Sequence, residues 1–467
     1  MQDHIFRMYD IRGVVGTELF VQEVYDCARA FALYAVQALP SLRAVAVGMD
    51  GRLHSPEIKN EFVRGLRDSG LSVIDIGMCP TPLVSFAEYA LPVQAACMIT
   101  ASHNPKEYNG IKFFLDKKPL FNKELQQVHR LFKAREHRTS MVKGSCKRHD
   151  LIPEYISLLK RLFPHLVGTS LPVVFDCGNG ATGTVMPTLC QVFEFSHATL
   201  LYADVDGTYP HHEADPSVEE NMQDLAIAVR NYSARIGIAF DGDGDRMGAV
   251  TVQGTVVPGD TLLGFMAQPL VDHMPDATIV CDAKCSSALQ EHLKKSEAHV
   301  RLSPSGHAFI RQMMEKEQAL IGGELSCHFF FKDRYFGYDD GVYAALRVIE
   351  RLVANKDALE LFLSDYPKRI SSPELRITCA QGEGVILVDA LKKKLQGMKD
   401  LEISTVDGVR IMLSQGWGIV RASNTQPVVC VRFESDTQEG IEQVRSFFTQ
   451  LLLPWYTESF LEHALRW

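Results

Sequence analysis

The chain has 467 residues, which is longer than one hydrophobic core usually organises, so we expect two to four domains. Hydrophobic residues make up 46% and charged residues 22%, the balance of an ordinary soluble globular protein. The formal net charge of −9 argues against a general nucleic-acid-binding surface, so no nucleic-acid partner is expected. The same charge is compatible with a small anion bound in a locally basic cleft.

The cysteines and the start of the chain indicate the compartment. Eleven cysteines are scattered without a Cys-x-x-Cys pair, so neither a disulfide framework nor a zinc site is predicted. The opening MQDHIFRMYDIRG lacks the apolar segment of a signal peptide, and no run of about 20 apolar residues predicts a membrane span. We therefore expect a cytoplasmic protein with reduced thiols and no membrane partner.

Strands and helices alternate through most of the chain, which predicts an α/β fold. The apolar runs predict strands at 44–48, 72–76, 95–99, 111–115, 172–176, 236–240, 278–281 and 300–302. After Pro373 the predicted elements change to short strands followed by a helix, which indicates a separate α+β unit. Its predicted strands lie at 384–388, 409–413, 418–421 and 428–433, and its helix lies at 437–453.

The most informative stretch is Phe240-Asp241-Gly242-Asp243-Gly244-Asp245-Arg246, at the end of a predicted buried strand. Ligands of α/β sheets bind at such carboxyl ends, and three close aspartates favour a hard divalent cation. The pattern is not an EF-hand loop, because Arg246 replaces the required glycine and Val252 replaces the bidentate glutamate. We therefore predict another kind of divalent-metal site, with an acidic hairpin turn as the alternative.

Three other polar loops carry candidate chemistry. Thr100-Ala101-Ser102-His103-Asn104-Pro105 follows a predicted strand, and its serine is either a nucleophile or the cap of a turn. Arg421-Ala422-Ser423-Asn424-Thr425-Gln426-Pro427 either binds a phosphate or forms a β-turn. In Gly323-Glu324-Leu325-Ser326, the polar side chains either bind sugar hydroxyls or lie on the surface. Together these parts suit phosphoryl transfer, in which catalysis is mainly positioning and charge neutralisation.

These four loops resemble, in the same order, the signature loops of the α-D-phosphohexomutase superfamily. Tyr9-Asp10-Ile11-Arg12-Gly13 and the segment 331–337 match it too, and the bacterial phosphomannomutase/phosphoglucomutase branch is the most similar. The resemblance implies four domains around a central cleft, three related mixed α/β domains and a C-terminal α+β domain. We expect them at 1–150 with a phosphoserine loop, 151–255 with a metal loop, 256–367 with a sugar loop and 368–467 with a phosphate loop.

The resemblance also implies roles for individual residues. The expected catalytic residues are Ser102, His103, Arg12 and Lys112, with Ser102 as the phosphoserine. The expected ligands of one Mg²⁺ per subunit are Asp241, Asp243, Asp245 and a phosphate oxygen on Ser102. The expected substrate-binding residues are Tyr9, Arg246, Lys284, His307, Glu324, Ser326, His328, Arg421, Ser423, Asn424 and Thr425. Among these, the glutamate and Ser326 would bind the sugar O3 and O4 hydroxyls, and the last four would bind the phosphate that is not reacting.

The implied reaction interconverts the 1-phosphate and the 6-phosphate of a hexose, mannose or glucose or both. Phospho-Ser102 would phosphorylate the substrate to a 1,6-bisphosphate, which would reorient and return its other phosphate to the serine. Hexose 1,6-bisphosphate is therefore the expected activator, and hexose phosphates are the expected small-molecule partners. A closing loop of the fourth domain would exclude water, and we expect a monomer or a weak dimer.

Two positions depart from the pattern of the superfamily. Gln426 stands where relatives usually carry glutamate, and Cys327 stands where bacterial relatives usually carry glycine. We expect a modest effect of Gln426, whereas Cys327 would alter the turn or narrow the sugar site. Two further hypotheses are a phosphohydrolase that uses the aspartates and a sugar-phosphate-binding protein without turnover.

Overall fold

The computed structural model describes residues 1–380, 382–396, 398, 401–423 and 427–467. The chain divides into two compact units, each built from two stretches. Unit 1 comprises Met1–Leu262 and Ser326–Leu361, and unit 2 comprises Leu263–Leu325 and Phe362–Trp467. Mixed α/β and antiparallel sheets are both present, so the predicted fold class is confirmed. The boundaries at 150, 255 and 367 stay a prediction.

The first sheet of unit 1 has seven strands and carries the serine loop, residues 100–105. Its order is Ile11–Val14, Tyr108–Leu115, Ala95–Ile99, Ala44–Met49, Ser72–Met78 and Cys146–Arg148, with Lys118–Pro119 beside the second of these. The strands Ala44–Met49 and Ala95–Ile99 are parallel neighbours, with Met49 opposite Ile99. The segments that follow these two strands therefore leave the sheet at the same edge, where ligands bind in α/β folds.

Helices cover this sheet because their apolar residues recur every three or four positions. In the helix Val21–Ala38, the side chains of Val24, Ala28 and Phe31 are buried on one face. The ring centroid of Phe31 lies 4.8 Å from that of Phe113 on the sheet, which places the core between helix and sheet. The remaining helices of unit 1 are Ser55–Asp68, Thr81–Ala90, Lys123–Lys133, Ile152–Leu162, Met186–Val192, Gln223–Asn231 and Gly341–Ala354.

The second sheet of unit 1 carries the acidic loop, residues 241–246. Its order is Val256–Val257, Met247–Thr251, Ile236–Phe240, Val173–Asp176 and Ala198–Leu201. Met247–Thr251 returns antiparallel to Ile236–Phe240, so the acidic loop joins two strands. This agrees with the rejection of an EF-hand, whose loop is followed by a helix.

Unit 2 contains a parallel arrangement and an antiparallel sheet. The parallel strands are Thr278–Asp282, His299–Ser303 and Ile321–Gly323, and the helices beside them are Ser287–Lys294 and His307–Glu317. The antiparallel sheet has the order Ile370–Ser371, Val428–Ser435, Gly416–Ala422, Val409–Leu413 and Glu402–Ser404, with Leu375–Thr378 beside the second strand. The helices Gln438–Leu452 and Glu458–Ala464 follow this sheet in the chain.

The predicted strand at 384–388 is wrong, because this segment belongs to the helix Glu383–Leu395. Gly382 precedes the helix at a φ of +83°, a conformation that glycine adopts without strain. Leu387, Leu391 and Leu395 are buried at a spacing of four residues, which is the spacing of a helix face. The run of branched residues has a strand-like composition, but burial of this face decides the structure.

Two helices continue across the division between the units, Gly259–His273 and Ala358–Asp365. None of the helices in the described ranges combines the length and the apolar character that crossing a lipid bilayer requires. All eleven cysteines are free thiols, as the sequence predicts.

Candidate active site

Ser102 lies in the serine loop, directly after a strand whose five residues are all buried. Its backbone has a φ of +52°, which is uncommon for a residue other than glycine, asparagine or aspartate and turns the chain sharply. Its amide donates a hydrogen bond to the Thr100 hydroxyl at 2.8 Å. A cavity of about 200 Å³ opens beside Ser102 and His103, so the serine faces open space although it is 98% buried.

The Ser102 hydroxyl reaches the acidic loop. Its Oγ donates a hydrogen bond to Asp241 Oδ2 at 2.9 Å, and Nδ1 of His103 lies 3.2 Å away. Burial, followed by the charge of Arg246, lowers the pKa of His103 well below its usual value, so this imidazole is neutral. The hydroxyl thus stands between a carboxylate and a neutral imidazole, an arrangement suited to a nucleophile.

The two loops approach closely because Gly242 has no side chain. A Cβ atom on this residue would lie 2.5 Å from the carbonyl oxygen of Ser102, which is shorter than such contacts permit. The Ala181 amide donates to the Gly242 carbonyl at 2.9 Å and fixes the acidic loop from the other side. The glycine between the first two aspartates is therefore required for contact between the loops.

The acidic loop brings three buried carboxylates together. Oxygen atoms of Asp241, Asp243 and Asp245 all lie within 4.8 Å of one another, and these residues are at most 1% exposed. Lys112 Nζ donates to Asp243 Oδ2 at 2.7 Å and to Asp245 Oδ2 at 2.6 Å. Burial favours the neutral form of Asp245, but the positive charges of Lys112, His328 and Arg246 together outweigh it and lower the pKa of this carboxyl.

One ammonium does not neutralise three carboxylates. Burial, followed by the charges of Asp245 and Asp243, raises the pKa of Asp241 well above its usual value. Within the described part of the chain, Asp243 Oδ1 and Asp245 Oδ1 are buried and accept no hydrogen bond. Buried oxygens without donors are costly, and a hard divalent cation with oxygen ligands would satisfy both the charge and the lone pairs. These residues therefore fit a metal site.

Other predicted residues of unit 1 surround the two loops. Arg12 Nη1 donates to Asn104 Oδ1 of the serine loop at 2.6 Å. The Arg246 amide donates to Asp241 Oδ1 at 3.1 Å, and its guanidinium Nε donates to His328 Nε2 at 2.9 Å. Tyr9 is buried three residues before Arg12, and Ser326 is half-buried at the start of the second stretch of unit 1.

In unit 2, two carboxylates lie beside two of the predicted substrate-binding residues, Lys284 and Arg421. Asp282 Oδ2 lies 3.6 Å from Lys284 Nζ, and Asp282 also accepts hydrogen bonds from the Ser305 hydroxyl and the Leu325 amide. Asp407 Oδ2 accepts from the Ser305 amide at 3.0 Å and from Arg421 Nε at 2.7 Å. Ser305 thus connects the neighbourhoods of the predicted lysine and arginine.

The remaining predicted residues of unit 2 lie near this connection. Glu324 Oε1 accepts a hydrogen bond from the Gly306 amide at 2.5 Å, and His307 is the first residue of the helix His307–Glu317. The Ser423 amide donates to the Val428 carbonyl at 2.9 Å, which extends the pairing of the strands Gly416–Ala422 and Val428–Ser435. The predicted residues Asn424 and Thr425, and the departure at Gln426, lie outside the described residues.

Lys284 is held by an ion pair within unit 2. Its Nζ lies 3.1 Å from Glu374 Oε2, and both side chains are largely buried. Burial favours the neutral form of Glu374, but the charges of Lys284, Arg421 and Arg376 together outweigh it and lower the pKa of this carboxyl to about 2. The ammonium is therefore fixed in position with its charge retained.

Sequence reasoning missed the residues that hold the predicted ones in place. Arg52, Asp282, Glu374 and Asp407 each bind a predicted residue or its loop, yet none lies in a signature loop. For Asp282, the available signal is its place at the end of a buried strand, the same place as Asp241. Arg52 also follows a buried strand, Ala44–Met49, whereas Glu374 and Asp407 offer no comparable pattern.

Comparisons with known proteins agree with this geometry. Models of the four phosphoglucomutase/phosphomannomutase domains match residues 3–139, 153–254, 258–369 and 374–451, the first three as alpha/beta/alpha domains I to III and the last as the C-terminal domain. A phosphomannomutase/phosphoglucomutase of Pseudomonas aeruginosa is 38% identical over 448 residues, which are 96% of this chain and 95% of that protein. A phosphoglucomutase of Neisseria meningitidis serogroup A is 37% identical, with 96% of each chain covered.

A solved structure extends the similarity to the backbone. The crystal structure of a phosphoglucomutase/phosphomannomutase family protein from Burkholderia thailandensis is similar with a TM-score of 0.86 and 33% identity. The match covers 97% of this chain and 98% of that chain. The resemblance inferred from the signature loops is thus confirmed over nearly the whole length, and the chain belongs to the phosphoglucomutase/phosphomannomutase family.

Proposed function

We propose that this chain is a phosphohexomutase that interconverts the 1-phosphate and the 6-phosphate of glucose, of mannose or of both. The observation that carries the proposal is the 2.9 Å hydrogen bond from Ser102 Oγ to Asp241 in the three-carboxylate cluster. It joins a nucleophile to a potential cation site, which are the two parts that phosphoryl transfer through a serine requires. Relatives named phosphomannomutase and phosphoglucomutase support both sugars.

Asp241, Asp243 and Asp245 would hold one Mg²⁺, as their buried and incompletely neutralised oxygens suggest. Bound there, the ion would withdraw negative charge from the phosphoryl group in transfer. Lys112 is already bonded to two of these carboxylates, so its role would be to fix their orientation and to add positive charge. Arg12, bonded to Asn104, would add positive charge beside the serine loop.

In the first half of the reaction, a hydroxyl of the hexose phosphate attacks the phosphorus of phospho-Ser102. A new oxygen–phosphorus bond to the sugar forms, the bond from Ser102 Oγ to phosphorus breaks, and the sugar hydroxyl loses its proton while Oγ gains one. His103 Nδ1 lies 3.2 Å from Oγ and is positioned to exchange that proton. The second half runs in reverse from the other phosphate of the 1,6-bisphosphate.

The residues of unit 2 would bind the parts of the substrate that do not react. Lys284 and Arg421 are buried cations held by carboxylates, and such fixed donors suit a phosphate. Glu324 is fixed by the Gly306 amide, and its carboxylate would bind a sugar hydroxyl. His307, Ser423, Asn424 and Thr425 complete this proposed set, and Tyr9, Arg246, Ser326 and His328 are proposed substrate contacts of unit 1.

The test is a coupled assay of glucose 1-phosphate and mannose 1-phosphate conversion on one preparation, with Mg²⁺ and a trace of glucose 1,6-bisphosphate. Ser102→Ala should abolish conversion of both sugars, because the variant lacks the hydroxyl that bonds to Asp241 and would carry the phosphoryl group. Ser157→Ala, which changes an exposed serine bonded to Arg161, is the matched control and should keep wild-type activity.

Two outcomes would contradict the proposal. Release of inorganic phosphate in step with loss of substrate would indicate the phosphohydrolase. Binding of either sugar phosphate with no conversion in Mg²⁺ would indicate a binding protein. Domain limits at 150, 255 and 367, a monomer or weak dimer, and a cytoplasmic location remain predictions beside this proposal.

A further inference from the structure

We infer that Arg52 is a positioning residue for phosphoryl transfer, which holds the serine loop in the conformation that presents Ser102. This inference rests on the proposed function, because it assigns a reactive role to that serine. Arg52 is only 1% exposed, and it lies outside the signature loops. Its contacts, its position in the sheet and the backbone conformation of Ser102 carry the inference.

Every N–H group of the Arg52 guanidinium has an acceptor. Nη2 donates to the carbonyl oxygens of Ser102 at 2.7 Å and Asn104 at 2.5 Å. Nη1 donates to the carbonyl oxygens of Pro105 at 2.7 Å and Tyr108 at 3.0 Å. Nε donates to Asp50 Oδ2 at 3.1 Å. A guanidinium has five N–H donors in a planar fork, so one side chain fixes four carbonyls in and after the serine loop.

The sheet places Arg52 beside this loop. Asp50 and Arg52 follow the strand Ala44–Met49, and the serine loop follows its parallel neighbour Ala95–Ile99. The Asp50 amide donates to the Ile99 carbonyl at 3.0 Å, which continues the pairing beyond the strands. The two turns therefore leave the same edge of the sheet side by side.

A buried polar chain fixes the orientation of Arg52. Asp50 Oδ1 accepts from the Ser55 hydroxyl at 2.6 Å, and Asn109 Nδ2 donates to the same hydroxyl at 2.9 Å. The ring of Tyr209 lies 5.4 Å from the guanidinium carbon. Because these neighbours surround the buried Arg52 guanidinium, it has a single arrangement in which all five donors point at their acceptors.

Ser102 needs this support because its backbone is strained. At a φ of +52° a serine is less stable than in an extended or right-handed conformation, and such strain persists only where surrounding contacts enforce it. The Thr100 hydroxyl holds the Ser102 amide, and Arg52 holds the Ser102 carbonyl. Both backbone polar groups of Ser102, its amide N–H and its carbonyl oxygen, are thus held by hydrogen bonds.

The experiment compares steady-state kinetics and melting temperature of full-length Arg52→Lys with those of wild type. A lysine has three donors, so at least two of the five acceptors of Arg52 would lose their partner. Because a small displacement of a reacting group costs about 100-fold in rate, kcat should fall by about this factor. KM for glucose 1-phosphate should stay within about threefold, since Arg52 makes no proposed contact with substrate.

The matched control is Arg347→Lys, another buried arginine of unit 1. Its Nη1 donates to both carboxylate oxygens of Asp333, at 2.9 and 2.7 Å, and it makes no described contact with the serine loop. This variant should lose thermal stability and keep kcat. If Arg52→Lys does not fold, Asp50→Asn removes the charge that orients Nε, and its kcat should fall about tenfold at unchanged KM.

A kcat within threefold of wild type in Arg52→Lys would overturn the inference. So would an equal loss of kcat in Arg347→Lys, because the effect would then be general destabilisation. For Asp50→Asn, an unchanged kcat would overturn it in the same way. Failure of the proposed function would give a different result, because wild type would then lack mutase activity or Ser102→Ala would keep full activity.

Discussion

Unit 1 and unit 2 hold their candidate residues by different means. In unit 1 the serine and acidic loops contact each other, and two carboxylate oxygens of the cluster accept no hydrogen bond from the described residues. In unit 2 the cations Lys284 and Arg421 are each paired with a carboxylate, Glu374 and Asp407. The first set needs an added cation, whereas the second already carries its own counter-charges.

This difference predicts different kinetic effects for changes in the two units. A centre with uncompensated negative charge gains most when a cation and a phosphoryl group are present, so changes there should lower kcat. Cations fixed by carboxylates bind an anion about equally in the ground state and the transition state, so changes there should raise KM.

The largest effect is expected for Asp243→Asn in the acidic loop. The change removes one negative charge beside Lys112 and Thr81, which donate to Asp243 Oδ2 at 2.7 and 2.5 Å. Loss of about 4 kcal/mol of charge stabilisation would lower kcat about a thousandfold. Isothermal titration calorimetry should show weaker Mg²⁺ binding, and the exposed control Asp224→Asn should retain both properties. Unchanged Mg²⁺ binding in Asp243→Asn would contradict a metal site at the acidic loop.

A different kinetic signature is expected for Lys284→Met in unit 2. A hydrogen bond to a charged group is worth about 1.5–3 kcal/mol, so KM should rise about 10- to 100-fold while kcat changes little. Steady-state kinetics with glucose 1-phosphate measures both constants. The double variant Lys284→Met, Glu374→Gln should recover stability, since it removes the carboxylate that has lost its lysine partner, but it should keep the raised KM. A fall in kcat at constant KM would contradict the expectation that changes in unit 2 raise KM.

Asp340 shows how a buried carboxylate of unit 1 is satisfied without a metal. It accepts hydrogen bonds from the hydroxyls of Tyr155 at 2.9 Å and Tyr335 at 2.8 Å, and from the Tyr343 amide at 2.9 Å. Burial nevertheless raises the pKa of Asp340 from 3.8 to about 6. The folded protein therefore binds this proton more tightly than the unfolded chain does. The stabilisation that proton binding at Asp340 gives the folded protein is present below pH 3.8 and is lost as pH rises through about 6.

The corresponding variant is Asp340→Asn, measured by urea unfolding between pH 4 and pH 7. A pKa difference of about two units corresponds to about 3 kcal/mol, and this pH-dependent loss should disappear in the variant. Asp224→Asn should follow the wild-type profile. An Asp340→Asn profile parallel to that of wild type would show that the carboxyl does not titrate in this range.

The smallest effect is expected at Cys327, two residues after the chain passes from unit 2 to unit 1. Its φ of +71° explains why glycine suits this position, because a side chain costs about 1 kcal/mol there. Cys327→Gly removes that strain but also removes a buried thiol, so the net change in unfolding free energy should be below about 1 kcal/mol. Cys327→Val should be clearly less stable, because a branched side chain suits positive φ worst. Equal stability of the two variants would contradict this reading of the backbone.

Much of the fold and the reactive centre could be predicted from local patterns. The runs at 44–48, 95–99 and 236–240 are strands because their apolar residues are buried. The loop after 95–99 carries Ser102, and the loop after 236–240 carries the three aspartates. The place of three alternate aspartates after a buried strand favours a metal site over a hairpin turn, since the glycines between them let the side chains turn inward together. These features depend on neighbours in sequence, which is why they are visible without a structure.

The supporting residues could not be predicted in this way. Arg52 lies 50 positions before Ser102, and Asp407 lies 102 positions after Ser305, so only the folded chain brings each pair together. The segment 384–388 was misread because branched residues favour strands locally, whereas the burial of Leu387, Leu391 and Leu395 favours a helix. Long-range contacts decide both cases.

The central claim is that Ser102 exchanges a phosphoryl group beside the acidic loop. The most direct measurement is peptide mass spectrometry after incubation with glucose 1,6-bisphosphate and Mg²⁺, for wild type and Ser102→Ala. We expect one phosphate on Ser102 in wild type, loss of that phosphate on addition of excess glucose 1-phosphate, and no phosphopeptide in the variant. Phosphate found on an aspartate of the acidic loop, or released as inorganic phosphate while Ser102 stays unmodified, would contradict it.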